Sequence, residues 1–283
     1  MTKIAIVADS TSDLIEEDVK KYNIKILPLR VVYSEEEEYR DRVEITPEEI
    51  YARFDKDIPT TSLPSPEDTI NLFKQLEDEG YTHVIVTTIS SGLSGTMNMI
   101  QNVASDFKNL VIEIIDSKAL TMGLGFPVLE GAKELQKSND FVKTVQIIKE
   151  TIKKTEVYFV VKTLEYLKKG GRIGKVEGTI GELLSIKPII SITEEGIYYT
   201  YKKVRGRNKS LQEIYNLVKE KARDKMVNVA VAHGNAYEEA HSLLERIKEL
   251  KNVKHTVFTQ VSPVMVVHTG PGLMGVVISE YTE

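Results

Sequence analysis

Residues 3–13 read Lys3-Ile4-Ala5-Ile6-Val7-Ala8-Asp9-Ser10-Thr11-Ser12-Asp13. The unbroken apolar run from Ile4 to Ala8 is the pattern of a strand covered on both faces, because a half-exposed strand alternates polar and apolar side chains. A hydroxyl-rich turn follows at once, and residues 13–22 then set Leu14, Val19 and Tyr22 among acids and lysines, as a helix does. Strand, turn and helix in that order form the unit of an α/β protein, and the unit recurs. His83 to Ile89 reads as a buried strand, Ser90 to Thr96 as a tight Ser/Gly turn and Met97 to Phe107 as a helix; a third strand, Leu110 to Ile115, ends at Asp116-Ser117.

Between the two units, residues 24–33 supply one or two strands. Pro47 to Asp55 and Pro66 to Gly80 predict helices, since proline suits the first helical position and acids the first turn. Helices over 122–137 and 140–154 lead to another buried strand at 157–161, where a second domain is expected to begin. From there the pattern gives a helix at 164–169, a Gly170-Gly171 stop, a segment from Gly178 to Leu184, and strands at 188–193 and 196–203. A helix at 209–223, a strand at 227–232, a helix at 236–250 and strands at 253–260 and 274–279 complete the chain. The expected architecture is α/β in two domains. Residues 1–155 carry a mostly parallel open sheet flanked by helices, residues 156–283 carry an α/β domain with a mixed sheet, and a ligand cleft lies between them.

Composition narrows the function. The 283 residues hold 41% apolar and 28% charged side chains, the balance of a globular protein. Lys plus Arg number 37 against 42 Asp plus Glu, a net charge of −5 that argues against nucleic acid as a partner. The absence of Cys closes thiolate catalysis, disulfides and Cys-based metal sites. No apolar stretch reaches the roughly 18 residues of a membrane span, and the apolar run at the N-terminus is too short for a signal peptide. A cytoplasmic protein without an integral membrane segment is the expectation.

Three hydroxyl-rich loops dominate the first half: 9–13, 59–65 and 90–96. Two of them follow predicted parallel strands, where ligands bind in open α/β sheets against the free N–H groups of helix starts. Capping of those helices is the rival reading. Ser65 suffices to cap the helix beginning at Pro66, which leaves Thr61 and Ser62 unassigned and points to an anionic ligand. No G-x-x-x-x-G-K-[ST] is present for a nucleotide phosphate. Gly270-Pro271-Gly272-Leu273-Met274-Gly275 fits G-x-G-x-x-G, but it leads into a terminal strand, so a dinucleotide site is rejected there. The five histidines show no metal-ligating spacing, and no metal is expected. Among them His268, placed between a strand and the glycine turn, is a titratable group suited to stand beside an anion. Gly92-Leu93-Ser94-Gly95-Thr96 approaches a nucleophile elbow but has Thr96 where the elbow needs glycine. Arg172, just past the paired glycines, and the cationic stretch 201–209 with Arg205 are candidates for a phosphate or an acidic partner.

Taken together, Asp-Ser-Thr-Ser-Asp-Leu at 9–14, Thr-Ser-Leu-Pro-Ser at 61–65, Ser-Ser-Gly-Leu-Ser-Gly-Thr at 90–96, Tyr-Leu-Lys-Lys-Gly-Gly-Arg-Ile at 166–173, Tyr-Lys-Lys-Val-Arg-Gly at 201–206 and His-Thr-Gly-Pro-Gly at 268–272 resemble the DegV family of bacterial fatty-acid-binding proteins. The resemblance implies a carrier, not an enzyme, that holds one long-chain fatty acid such as palmitate, with no further cofactor. Its carboxylate would be bound by Thr61, Ser62, Ser94, Gly95 and Thr96 with His268 beside them, and its tail would lie in an apolar tunnel. It also implies a partner, a kinase subunit related to dihydroxyacetone kinases, which phosphorylates the presented acid to an acyl phosphate for phospholipid synthesis; Arg172 and Arg205 would be candidate contacts for the kinase or the phosphate. Two alternatives stay open on the residues themselves: an acyl hydrolase using Ser94, and a lipid-sensing regulatory module.

Overall fold

The computed structural model describes residues 2–179 and 186–281. The first half of the chain runs β1 (Ile4–Asp9), α1 (Glu16–Lys21), β2 (Lys25–Leu27), β3 (Arg30–Val32), β4 (Glu38–Arg40), α2 (Pro47–Arg53), β5 (Thr60–Ser62), α3 (Pro66–Asp78), β6 (His83–Thr88), α4 (Thr96–Ala104), β7 (Val111–Asp116), α5 (Met122–Ser138) and α6 (Phe141–Lys153). The second half runs β8 (Thr155–Val160), α7 (Glu165–Lys169), β9 (Ile189–Ile192), β10 (Tyr198–Lys202), α8 (Arg207–Asp224), β11 (Val227–Gly234), α9 (Tyr237–Lys248), β12 (Val253–Gln260), α10 (Pro263–Thr269) and β13 (Leu273–Glu280).

The apolar run that opens the chain is β1, the second strand of a parallel four-stranded sheet ordered β2-β1-β6-β7. Its side chains alternate between two cores, as the pleat requires. Ala5 and Val7 join Phe73 of α3 and Ile100 of α4 on one side, while Ile4, Ile6 and Ala8 face α5 and α6 on the other. Both faces are covered, so no polar alternation survives in the sequence. Ser65 accepts a hydrogen bond from Asp68 N and caps α3 behind Pro66, and Thr46 and Glu49 cap α2 reciprocally.

The second half is built on a mixed sheet ordered β10-β9-β8-β13-β11-β12, antiparallel except for the β11–β12 pair. Helices α8 and α9 cover one face, with Ile214, Leu217, Leu243 and Ile247 packed on Val229, Val231 and Val276. The opposite face, through Val157, Phe159 and Val277, shares one continuous core with Ile6 and Ala8 of the first sheet. Helix α5 fills the space between the sheets, and two glycines set how close it sits. A Cβ on Gly123 would lie 2.5 Å from Val157 Cγ2, and one on Gly125 would lie 2.7 Å from the Ser12 carbonyl oxygen.

Three small elements depart from the sequence reading. Residues 60–62 are not loop: they form β5, the outer strand of an antiparallel three-stranded sheet ordered β4-β3-β5. Strand β4 has no counterpart among the expected elements. The run Pro263 to Thr269 is a helix, α10, so His268 belongs to a last helical turn and not to a strand–turn junction. The segment expected from Gly178 to Leu184 falls, from 180 onward, outside the described residues. Among the described residues no helix is long and apolar enough to cross a membrane.

Candidate functional site

Of the three hydroxyl-rich loops, the first turns inward on itself. Ser10 to Ser12 form a buried 3-10 turn capped by Asp9. Asp9 Oδ1 accepts from Thr11 N at 3.0 Å and Oδ2 from Ile89 N at 2.6 Å, while Ser10 Oγ accepts from Leu29 N at 3.1 Å. These hydroxyls and carboxylates join segments of the fold, and none of them lines the cleft described below. Burial pushes the Asp9 carboxyl up to about 6 against the pull of its hydrogen bonds to Thr11 and Ile89.

The other two loops meet. In β5 the side chains alternate, so Thr60 and Ser62 are exposed while Thr61 turns in, paired across the strand with Val31. Thr61 Oγ1 lies 2.7 Å from His268 Nε2. The loop after β6 brings Ser94 and Gly95 to the start of α4, where the N-cap, Gly95, has no side chain to cap the helix. Ser94 Oγ is 2.8 Å from Thr96 Oγ1 and accepts from Thr96 N at 3.3 Å. Thr96 itself is fully buried and lies behind Ser94, outside the cleft lining.

His268 is held by close packing. A Cβ on Gly170 would lie 2.1 Å from His268 Nδ1, so only glycine fits there, and Nδ1 is buried without a hydrogen-bond partner. Burial, reinforced by the charge of Arg172, pushes the imidazole down to about 4, which leaves it neutral at pH 7. Arg172 spans the mouth of the site. Its Nε donates to the Leu93 carbonyl at 3.2 Å and its Nη1 to the Gly170 carbonyl at 2.7 Å, tying the Ser94 loop to the glycine that backs His268.

These groups surround a cleft of about 650 Å³, its open mouth included, lined at the polar end by Thr61, Ser62, Ser94, Gly95, Arg172 and His268. Leu29, Leu63, Ile89, Val264 and Met265 line its depth. A second, tighter space lies next to it, sharing Leu120, Tyr198, Met265 and Thr269 as walls and lined further by Val157, Phe159, Ala232, Gly275 and Val277.

Thus Thr61, Ser62, Ser94, Gly95, Arg172 and His268 converge from elements far apart in sequence. Arg205 does not join them. It is exposed, with its backbone bridged to Ile186 at the approach to α8, and it does not line the cleft. The apolar lining, above all Leu120, Tyr198 and Met265, carried no sequence signal beyond that of core residues. Among the described residues no group of His, Cys, Asp or Glu is arranged to hold a metal ion.

An α/β fold of two large sheets, with a polar-mouthed cleft set against an apolar interior, is the arrangement of a ligand-binding class. The family model described as "Uncharacterised protein, DegV family COG1307" matches residues 3–281, and the chain belongs to the DegV family. A DegV domain-containing protein of Clostridium acetobutylicum is 44% identical over 281 residues, covering 99% of this chain and 100% of its own. Among solved structures, a DegV family protein from Thermus thermophilus described for its fatty acid binding superposes with a TM-score of 0.92 at 29% identity, covering 99% of this chain and 100% of that one. A stearic-acid-binding protein from Eubacterium ventriosum does so at 0.90 and 30% identity, covering 98% of each chain.

Proposed function

We propose that this chain binds one long-chain fatty acid, carboxylate at the Thr61–Ser94–His268 mouth and acyl chain in the apolar chamber, and presents it to a separate kinase. The observation that carries the reading is the adjacency of the two spaces: Leu120, Tyr198, Met265 and Thr269 line both, so a polar mouth lies against an interior lined by hydrocarbon side chains. An amphiphile with one polar end fits that gradient. The family's solved members described as fatty-acid-binding support it.

The energetics allow it. Burying about 14 methylenes contributes roughly 11 kcal/mol at about 0.8 kcal/mol each, before the costs of ordering and association. The carboxylate is a cost unless paired, since desolvating an ion costs several kcal/mol, while each hydrogen bond to a charged group returns about 1.5–3 kcal/mol. The donors are the hydroxyls of Thr61 and Ser94 and the amides at the start of α4 around Gly95, with Ser62 at the exposed rim and Thr96 holding Ser94 in place. A neutral His268 whose proton sits on Nε2 donates to Thr61 Oγ1, which frees the threonine hydrogen for the ligand. That tautomer also spares Nδ1 a buried N–H with no acceptor.

The division of labour follows from the same geometry. The Ser94 hydroxyl is engaged with Thr96 and the His268 Nε2 with Thr61, so Ser94 has no general base in hydrogen-bond reach, which an acyl hydrolase requires. A carrier therefore fits better than a catalyst, with the chain divided into units 1–155 and 156–283. Its kinase, a subunit related to dihydroxyacetone kinases, would approach the mouth beside Arg172, with exposed Arg205 as a more distant contact.

Organic extraction of the purified protein followed by mass spectrometry is expected to yield long-chain fatty acid. The combined Thr61→Ala, Ser62→Ala and Ser94→Ala variant is expected to lose it, each donor being worth about tenfold or more in affinity. An empty extract, or full binding by the triple variant, refutes the site. Phosphoryl transfer to the bound lipid by an added kinase, weakened in Arg172→Ala and Arg205→Ala, tests the presentation role; turnover of an acyl ester would point to the hydrolase instead, and kinase binding without transfer to a sensor.

A further inference from the structure

Helix α10 contributes His268 to the mouth and Val264, Met265 and Thr269 to the walls, yet it is a helix that its own sequence does not sustain. It has seven residues, well below the length at which isolated helices hold in water. Four of them, Val264, Val266, Val267 and Thr269, are β-branched, which lowers helix propensity. Its cap residue, Ser262, makes no capping bond, and the Ser262 hydroxyl is buried without a partner.

The cap comes from elsewhere. Asp13 Oδ1 accepts from Ser262 N at 2.9 Å, and Asp41 Oδ1 accepts from Val264 N at 3.0 Å, across separations of 249 and 223 residues. Pro263, between them, has no N–H, so the two carboxylates take the donors on either side of it. Both acids are essentially inaccessible to solvent. Arg42 pairs with Asp13 at 2.7 Å and donates to the Gln260 carbonyl at 2.7 Å, and Thr259 Oγ1 donates to the Asp13 carbonyl at 3.1 Å, so the approach to α10 is bound to the same loops. At its other end α10 is tied to Thr61 by His268. The N-terminal half thus grips both ends of a short helix that belongs to the C-terminal half.

We propose that Asp13 and Asp41 are positioning residues for the ligand site: they hold α10 helical, and through it set His268 against Thr61 and Met265 in the chamber wall. A buried acid is a costly cap compared with a serine or asparagine. Its cost is only partly offset here by charge-assisted bonds to backbone N–H groups at the positive end of a helix, and burial still raises both carboxyls. Without the Asp41 bond the first turn of α10 loses a donor's partner, the helix frays, and His268 leaves the tight space beside Gly170. The inference rests on the fatty-acid reading for its consequence in binding, but its structural content concerns the ligand-free protein.

The test compares Asp41→Ala, which deletes the acceptor, with Asp41→Asn, which keeps an oxygen facing Val264 N. The first readout is the titration of the His268 ring by NMR in delipidated protein, with His233 as internal reference. In Asp41→Ala the His268 pKa is expected to move from its depressed value toward the ordinary value of roughly 6.5, and in Asp41→Asn to stay where the wild type has it. The second is release of a fluorescent long-chain fatty acid, expected to be about tenfold faster in Asp41→Ala and restored in Asp41→Asn. A folded Asp41→Ala protein whose His268 titrates like the wild type overturns the proposal, as does an Asp41→Asn protein that behaves like Asp41→Ala. Should Asp41→Ala fail to fold, hydrogen exchange of the wild type decides: the amides of Ser262, Val264, Val266 and Gly270 are expected to exchange as one unit, and independent exchange overturns the proposal. If the wild type binds no fatty acid at all, the ligand reading falls while the titration and exchange results still judge the clamp.

Discussion

Among single residues, His268 and the buried acids pull stability in opposite directions as pH changes. The folded His268 titrates at about 4, below the roughly 6.5 of a free imidazole. Between those values the unfolded chain holds the extra proton, so stability is lost as pH falls from 6.5 toward 4. Asp9 and Asp41 titrate at about 6 in the fold, against roughly 3.9 in an unfolded chain. There the folded protein takes the proton first, and stability rises as pH falls through 6 toward 4. In the wild type the two trends are expected to cancel in part. His268→Gln is expected to gain more thermal stability between pH 7 and pH 5 than the wild type does, measured by scanning calorimetry; identical slopes would contradict the depressed imidazole. Asp41→Asn, which keeps the acceptor and removes the buried charge, is expected to be more stable than the wild type at pH 7.5 by about 2–3 kcal/mol, an advantage that shrinks as pH approaches 4.

Elements show why part of the molecule was legible in the sequence and part was not. Strand β1 declared itself because both its faces are buried, and α3 because Ser65, Pro66 and two acids mark its start within five residues. Helix α10 opens on the same Ser-Pro pair, Ser262-Pro263, but has no acid in its first turn, and the sequence predicts no element there; its caps are aspartates from the far end of the chain. The site was legible to a similar degree. Thr61 and Ser62 stood out as polar residues without a structural task, His268 and Arg172 as groups suited to an anion, and Ser94 and Gly95 through the family resemblance; all six line one cleft. The loop from Asp9 to Asp13 stood out for the same reason, but its groups bond to one another and to neighbouring backbone, which composition alone does not reveal. Arg205 drew attention through local charge, which says nothing of where a strand end points. Helix α5 carries a prediction at this scale. Gly123 lets it rest on Val157, a residue that lines the inner space, so Gly123→Ala forces the helix off the second sheet. A loss of about 1–3 kcal/mol is expected from such overpacking, read by urea denaturation. An unchanged midpoint would mean that the two sheets are not packed through α5 as tightly as the Val157 contact implies.

For the whole molecule, the decisive feature is that the cleft has no wall of its own in either half. Thr61, Ser94 and Leu120 come from before residue 155, and Tyr198, Met265 and His268 come from after it. An occupant that touches all six binds only when the two sheets are packed together, so it must stabilise the fold as a unit. Ligand at about 100 times its dissociation constant adds roughly 2.7 kcal/mol. At roughly 2–4 °C per kcal/mol for a chain of this size, delipidated protein is expected to melt several degrees lower and to recover when a long-chain acid is restored. The chemistry of the chamber orders the ligands. An eight-carbon acid keeps the head but forfeits about half the methylenes, so it should recover far less, while a long-chain alcohol keeps the tail and forfeits the charged head, so it should fall between them. The form of the transition matters as much as its midpoint. A ligand held by both halves moves a single cooperative transition, whereas a ligand confined to one half would shift part of the melt and leave the rest behind; a split transition on adding palmitate would place the lipid elsewhere than in the space shared by Leu120, Tyr198 and Met265.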